Sequence, residues 1–192
     1  MSFKPFKELE CYVPIETVEK MFDHCNRVMD RVLLEVMFWT GARASEVVNI
    51  RYSDVDFDQG VIKIITLKQK DRPYRYVPVS SYLLRLIDAY CKEKKISGDD
   101  YLFPITYQAV YKIVRKVAER AGVTTVGNKY FHPHVLRHSF AVHALKSGVN
   151  IRSLQQVLGH SNINTTTTYL QLLPSDLRQE FKKVFGDDER IQ

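Results

Sequence analysis

The segment "RVLLEVMFWT", residues 31–40, most constrains how this chain can fold, because it is apolar on nearly every side. A surface helix has an apolar stripe and a polar face, whereas a helix that is apolar all round lies in the interior. Gly41 directly follows the segment and is a helix breaker. The sequence therefore predicts a buried central helix that ends at Gly41, with the other elements packed around it.

The rest of the chain predicts further helices and one small sheet. Helical apolar spacing follows Pro14, resumes in "ARASEVVNIR" (42–51), and continues over residues 81–94, 106–122, 133–148 and 150–159. Between these helices, "DVDF", "VIKIITLK" and "YRYVPV" alternate apolar and polar residues and are bounded by turn formers, which predicts three short antiparallel strands. The expected fold is mainly α with a small three-stranded antiparallel sheet, in the α+β class.

Composition limits the function classes. A chain of 192 residues with 45% hydrophobic content suits one domain, or one domain plus a tail. The absence of a long apolar segment and of a signal-peptide core predicts a cytoplasmic protein without a membrane partner. The net charge of +6 fits either a polyanion partner or an ordinary basic protein. Three cysteines without paired spacing are interpreted as reduced structural thiols: Cys11, Cys25 and Cys91.

The segment "FHPHVLRHSF" places an imidazole and a guanidinium near a predicted helix start. Pro133 suits the first helical turn, and His134 and Arg137 are three residues apart, so they share a face. A helix N-terminus with an added guanidinium binds anions. The alternative is a solvated polar face in which His134 caps the helix.

Two further segments carry candidate cations. In "TGARASEVV", Arg43 follows the Gly break and Glu46 lies one turn later, so the two residues form either a surface ion pair or a pair in which Glu46 orients Arg43 toward a ligand. In "LKQKDRPYRYVPV", Lys68 and Lys70 lie at a strand end and turn, where lysines commonly protect a sheet edge.

The segment "LGHSNINTTTTYLQL", residues 158–172, is rich in hydroxyl groups. Together with the preceding "NIRSLQQV", it reads as helix, Gly turn and helix, which is also the pattern of a helix-turn-helix DNA-binding module. Each threonine from Thr165 to Thr168 is interpreted as a solvent-exposed cap. A reader of bases, however, does not need Arg43, Lys70 and Arg137 gathered far from its recognition helix.

Taken in order, these segments resemble the tyrosine recombinase family, also called phage integrases. The ordered features are "TGARASEV", a lysine eight residues before Pro78, "HPHVLRHSF" and "LGHSNINTTTTY", with 23 residues from Arg137 to His160 and nine from His160 to Tyr169. The resemblance covers residues 12–172, which is most of the chain. It implies the catalytic-domain fold of that family and a site made of Arg43, Lys70, His134, Arg137, His160 and Tyr169, with Glu46 in support.

The resemblance also implies the role of each residue. Arg43 and Arg137 clamp the scissile phosphate, Tyr169 is the nucleophile, His134 and His160 occupy the imidazole positions, and Lys70 is preferred to Lys68 as the hairpin lysine. Two guanidinium forks can neutralise charge on the phosphate without a metal. Tyrosine has a pKa near 10 and needs a neighbouring base. No cofactor and no metal are expected.

The implied activity is site-specific DNA recombination through a covalent 3′-phosphotyrosine, with double-stranded DNA and a homo-oligomer of two to four protomers as partners. Alternatives are a type IB topoisomerase, a telomere-resolving variant and the non-catalytic helix-turn-helix module. Residues 1–173 are expected to form the catalytic domain. The N-terminal DNA-clamping domain common in this family is expected to be absent, either because the chain is a fragment or because it belongs with the short single-domain members.

Residues 174–192 are expected to form a helical tail. Pro174 is a break, Ser175 is a candidate N-cap, and apolar side chains recur at helical spacing at Leu177, Phe181, Val184 and Phe185. These side chains need a surface on which to pack. The two alternatives are docking on the same domain and docking in trans on a neighbouring protomer.

Overall fold

A computed structural model of the chain describes residues 11–66 and 74–159. Its helices are α1 (Ile15–Asp23), α2 (Val28–Thr40), α3 (Ala44–Val47), α4 (Ser81–Lys94), α5 (Tyr107–Arg120), α6 (Pro133–Lys146) and α7 (Ile151–Leu158). Its strands are β1 (Val55–Asp56), β2 (Val61–Ile65), β3 (Tyr74–Pro78), β4 (Thr125–Val126) and β5 (Lys129–Tyr130). The mainly helical fold with a small antiparallel sheet is the predicted one.

Helix α2 is the centre of the fold, as its all-round apolar sequence predicts. It contacts α1, α3, α4 and α6, and the apolar side chains on all its sides are buried, including Leu33, Leu34 and Phe38. Gly41 ends it in the left-handed conformation with a φ of 61°. Because α2 is enclosed by its neighbours and Ala42 is still buried, Arg43 is the first residue after α2 that reaches solvent.

The three-stranded sheet has the order β1-β2-β3 and is antiparallel throughout. Ile62 pairs with Val77, and Lys63 pairs with Tyr76. The face that carries Ile62 and Val77 is buried against the helices, while Tyr76 is exposed. This alternation means that every second residue of β3 points into the protein.

The predicted helix at 42–51 is shorter than its pattern suggested. It covers only Ala44–Val47, and a 3₁₀ turn over Tyr52–Asp54 leads into β1. Val47 and Ile50 are nevertheless buried, as expected from their spacing. A small hairpin of β4 and β5 was not predicted, although the Gly127-Asn128 pair between them is a known hairpin signal.

The last two helices of the described chain, α6 and α7, have clear start and stop signals. Pro133 occupies the first turn of α6, and the side chain of Asn150 accepts a hydrogen bond from the Arg152 amide at the start of α7. Gly159 ends α7 with a φ of 62°. Within the described residues, no helix is long and apolar enough to cross a membrane.

Cys91 is buried, and burial raises the pKa of its thiol to about 11. The pKa of Cys25 is also raised to about 11, first by burial and then by the charge of Asp30. Both thiols therefore stay protonated near neutral pH, in agreement with a structural role.

Candidate active site

Arg43 emerges from the core just after Gly41. Its backbone N–H donates to Glu46 Oε2 at 2.9 Å, and its Nη1 donates to Glu46 Oε1 at 2.8 Å. The Arg43 side chain is 27% exposed, whereas that of Glu46 is only 2% exposed. The surface-pair alternative is therefore excluded, because a buried carboxylate holds a guanidinium that still reaches solvent.

Glu46 binds a second arginine that the motif pattern of the sequence does not include. Arg75 Nη1 donates to Glu46 Oε1 at 3.2 Å, and Arg75 Nη2 donates to Glu46 Oε2 at 2.8 Å. Burial acts to raise the pKa of Glu46, but the hydrogen bonds and charges of Arg75 and Arg43 outweigh it and hold the pKa below its usual range. Glu46 is therefore a fixed negative charge shared by two guanidinium groups.

The sequence signal for Arg75 is the alternation of β3. Tyr74 and Tyr76 are exposed, so the residue between them must point inward, and Arg75 is indeed only 9% exposed. A charged residue on the core face of a strand needs a buried partner of opposite charge. An arginine at an inward position of a predicted strand therefore marks a candidate site residue, and the motif-based prediction missed it.

Arg137 lies on α6 and is 3% exposed. Its Nη1 donates to the carbonyl of Gly41 at 2.6 Å, and its Nη2 donates to the carbonyl of Leu158 at 2.7 Å. Gly41 is two residues before Arg43 in the chain, so these contacts bring the two predicted clamp arginines to the same end of α2. A Cβ atom at Gly41 would lie 2.7 Å from Leu158 Cδ2, which shows how closely α7 approaches this point.

The predicted His134 lies in the first turn of α6 and is exposed, while His132 is the N-cap residue and makes no side-chain cap. The His134 ring centroid is 6.0 Å from that of His132 and 6.4 Å from that of His138. Burial, followed by the positive charges of His134, Arg137 and His132, lowers the pKa of His138 to about 4. Burial and Lys129 also lower the pKa of His132. Both imidazoles therefore have pKa values below that of an ordinary histidine.

Lys70, His160 and Tyr169 lie outside the described residues, as do the threonines of residues 165–168 and the tail. The described chain nevertheless contacts the site just before residue 67 and just before residue 160. Thr66, the last residue before the first gap, accepts a hydrogen bond from Arg75 Nη1 at 2.9 Å. Leu158, two residues before His160, holds Arg137.

The cluster of Arg43, Glu46, Arg75 and Arg137, here called the arginine cluster, combines three guanidinium groups with one carboxylate. This excess of positive charge, part of it in a low-dielectric setting, suits an anionic ligand with several oxygens, such as a phosphodiester. Among residues 11–66 and 74–159, no group of three or more His, Cys, Asp or Glu residues is placed to hold a metal ion.

Comparison with known proteins identifies the family of this chain. Residues 12–175 match the model of the family described as the phage integrase family. The tyrosine recombinase XerA of Saccharolobus solfataricus is 32% identical over 181 residues, which are 94% of this chain and 58% of that protein. The chain thus spans little more than half the length of that relative.

Solved structures show the same fold. A crystal structure of a XerA recombinase is 26% identical with a TM-score of 0.77, and the match covers 96% of this chain and 67% of that one. The catalytic domain of the bacteriophage HP1 integrase is 25% identical with a TM-score of 0.67, and the match covers 91% of this chain and 94% of that domain.

Proposed function

Because the chain belongs to the phage integrase family, we propose that it is a site-specific recombinase that cuts and rejoins double-stranded DNA through a covalent 3′-phosphotyrosine. The observation that carries this proposal is the convergence of Arg43 and Arg137, 94 residues apart in sequence, at the end of α2. Arg43 and Arg137 match the two clamp positions of the family motif. Residues 1–173 would then form the catalytic domain.

In the proposed mechanism Arg43 and Arg137, two members of the arginine cluster, bind the scissile phosphate. Arg43 and Arg137 donate to its non-bridging oxygens, where negative charge grows as the nucleophile attacks. Both guanidinium groups are held before DNA arrives, Arg43 by Glu46 and Arg137 by two carbonyl groups. Preorganised donors lose little energy to rearrangement during the reaction.

The bond changes are assigned to the other motif residues. Tyr169 attacks the phosphorus, its proton passes to His134 or His160, and the P–O bond to the 5′ oxygen breaks as Lys70 donates a proton to that oxygen. The phosphotyrosine ester conserves the energy of the broken bond. A 5′ hydroxyl from a second strand can therefore reverse the step without ATP.

The proposed partners follow from this chemistry. Strand exchange between two DNA sites requires several protomers, so the chain would act as a dimer to tetramer on DNA. The net charge of +6 favours association with a polyanion. We place the protein in the cytoplasm, without a metal or cofactor.

Trapping of the covalent intermediate tests the proposal. The probe is a pool of short duplexes with randomised sequence, each nicked so that the short downstream fragment, which carries the newly formed 5′ hydroxyl, diffuses away and religation stops. The wild-type chain should form adducts that survive SDS, with the protein on a 3′ phosphate, and Tyr169→Phe should form none while still binding DNA. Binding of the pool without any adduct would instead support the helix-turn-helix module.

A second experiment isolates the clamp. Arg137→Lys keeps the charge but loses the planar fork, so cleavage of the duplex recovered from the pool should fall by orders of magnitude while salt-dependent affinity changes little. Equal loss of binding and cleavage would show that Arg137 only binds. The reaction should also proceed in EDTA, and a strict need for a divalent ion would contradict the metal-free mechanism.

We further propose that the tail of residues 174–192 docks in trans. A groove of about 890 Å³ runs over α1, α2, α6 and α7 and is lined by apolar side chains that include Phe22, Trp39, Val77, Phe140 and Val157. Glu19 and Asp23 also line it, and the tail carries Lys182 and Lys183 between its phenylalanines. Arg31 lines the groove as well, and the tail carries both basic and acidic residues, so the proposal rests on the match between the apolar lining of the groove and the apolar side chains of the tail.

Deletion of residues 175–192 tests this docking. The shortened chain should remain a folded monomer that binds one DNA site but fails to assemble cooperatively on paired sites. Unfolding of the shortened chain would favour docking on its own domain. Normal recombination would show that the tail does not couple protomers.

A further inference from the structure

Arg75 connects parts of the site that lie far apart in the chain. From β3 it reaches Glu46 on α3 through both Nη atoms, Thr66 at the end of β2 through Nη1, and the Val157 carbonyl on α7 through Nε at 2.6 Å. Every nitrogen of its guanidinium group is therefore engaged by the protein. These contacts join α3, β2 and α7, and Arg75, unlike Arg43 and Arg137, does not match a clamp position of the family motif, so its role lies in the architecture of the site.

The contact of Arg75 with α7 supplies a hydrogen-bond donor to the C-terminal end of that helix. The last carbonyl groups of a helix have no partner within the helix. Here two adjacent carbonyl groups, those of Val157 and Leu158, accept from Arg75 and Arg137 respectively. Two cations thus hold the negative end of α7, which is also the favourable end of its dipole for positive charge.

Close packing reinforces this arrangement. Gly159 has a φ of 62°, and a Cβ atom there would lie 3.1 Å from Arg75 Nη1 and 3.2 Å from Arg75 Cδ. Gly159 therefore packs closely against the Arg75 side chain. On its other side, Arg75 shares Glu46 with Arg43.

We infer that Arg75 is a positioning residue for DNA cleavage, which fixes Arg43 through Glu46 and fixes the end of α7 that leads to His160. This inference rests on the proposed function. Lysine cannot replace Arg75, because an ammonium group lacks the planar fork that reaches a carboxylate, a hydroxyl and a carbonyl at once. A small displacement of catalytic groups is enough to slow an enzyme about 100-fold.

The first test compares Arg75→Lys with Arg27→Lys in single-turnover cleavage of the duplex recovered from the randomised pool. Arg27 is the matched control, since its side chain is 60% exposed and pairs with Asp30 on α2. Arg75→Lys should cleave about 100-fold more slowly with DNA affinity nearly unchanged. Rates equal to those of Arg27→Lys would overturn the inference.

A sulfur leaving group distinguishes a positioning role of Arg75 from a role in acid catalysis. In a duplex whose 5′ bridging oxygen is replaced by sulfur, the leaving group needs no proton. Lys70→Ala should regain cleavage on this duplex, whereas Arg75→Lys should stay slow because the phosphate clamp is misplaced. Recovery of Arg75→Lys on the sulfur duplex would contradict a role through Arg43.

Two further measurements keep the inference testable if the wild-type chain forms no adduct or if Arg75→Lys does not fold. Without DNA, amide hydrogen exchange at Leu158 and Gly159 should be at least about tenfold faster in Arg75→Lys than in Arg27→Lys, and equal exchange would refute the anchoring of α7. Thr66→Val, which removes one acceptor of Arg75 at nearly constant volume, should cleave about tenfold more slowly. An unchanged rate in this variant, with normal exchange, would also refute the inference.

Discussion

Two buried glutamates, Glu46 in the arginine cluster and Glu35 on α2, differ in the ionisation that the fold favours. Glu35 Oε1 accepts from Arg31 Nε at 2.9 Å and from the Tyr82 hydroxyl at 3.3 Å, and its side chain is 2% exposed, like that of Glu46. Burial raises the pKa of Glu35 despite these partners, whereas the pKa of Glu46 is lowered.

The difference lies in the number and arrangement of the donors. Arg31 is 36% exposed and is shared with Asp23, so it offsets only part of the desolvation of Glu35. Glu46 accepts from two guanidinium groups and a backbone amide, which together outweigh its desolvation. Burial alone does not make a carboxylate a reliable anchor, but burial with converging donors does.

The largest expected effect is on stability. Glu46→Gln leaves the buried Arg75 without its counter-charge and should lower the free energy of unfolding by about 3 to 5 kcal/mol. Glu35→Gln should change it by about 1 kcal/mol or less, because Arg31 can turn to solvent. Urea unfolding of the two variants measures the difference. Equal losses would show that the two carboxylates are energetically alike.

An intermediate effect is expected for the backbone that presents Arg43. Gly41→Ala and Gly98→Ala both place a side chain at a positive φ, of 61° and 55°, which costs about 1 kcal/mol. Only at Gly41 does the new Cβ meet Leu158 and Phe140, which adds about 1 to 3 kcal/mol. The midpoint of thermal unfolding should therefore be clearly lower for Gly41→Ala than for Gly98→Ala. Similar values would mean that α7 does not press on the end of α2.

The smallest effect is on the pH dependence of stability, and its sign differs between the two sites. Glu46 has a lowered pKa, so the unfolded chain takes up its proton first, and the stability that Glu46 contributes is lost as the pH falls below about 4.3. Glu35 has a raised pKa, so the folded chain takes up its proton first, and stability rises as the pH falls through that pKa.

The measurement is the difference in unfolding free energy between the wild type and each Glu→Gln variant across the acid range. The wild-type advantage over Glu46→Gln should shrink on acidification, and the wild type should gain relative to Glu35→Gln. Slopes of the same sign at both sites would show that the donors around Glu46 do not outweigh its burial.

Much of this architecture follows from sequence periodicity, and the exceptions have physical reasons. The all-round apolar segment correctly predicted the central helix α2, and alternation predicted β2 and β3 because both patterns depend only on nearby residues. The β4–β5 hairpin was missed because strands of two residues show no measurable alternation. The helix predicted at 42–51 is too long because Val47, at the end of the helix, and Ile50, beyond it, are both buried, and their spacing imitates a continuous helix.

For the candidate site, the family motif predicts a set of residues but does not include Arg75, which links Glu46 to α7. Arg43, Glu46, His134 and Arg137 stand out through local spacing. The link from Glu46 to Arg75 depends on the position of β3 against α3, and the link from Arg75 to Val157 joins residues 82 apart. Contacts of that kind are set by packing, so no local pattern specifies them.

The most direct test of the central claim is the identity of the residue joined to DNA. Wild-type adducts formed on the nicked duplex can be digested with protease and nuclease, and the peptide that retains a nucleotide identified by mass spectrometry. The proposed mechanism predicts that this nucleotide is attached to Tyr169 through a 3′ phosphate. Attachment to another residue, such as Tyr111 or Tyr130, would contradict it.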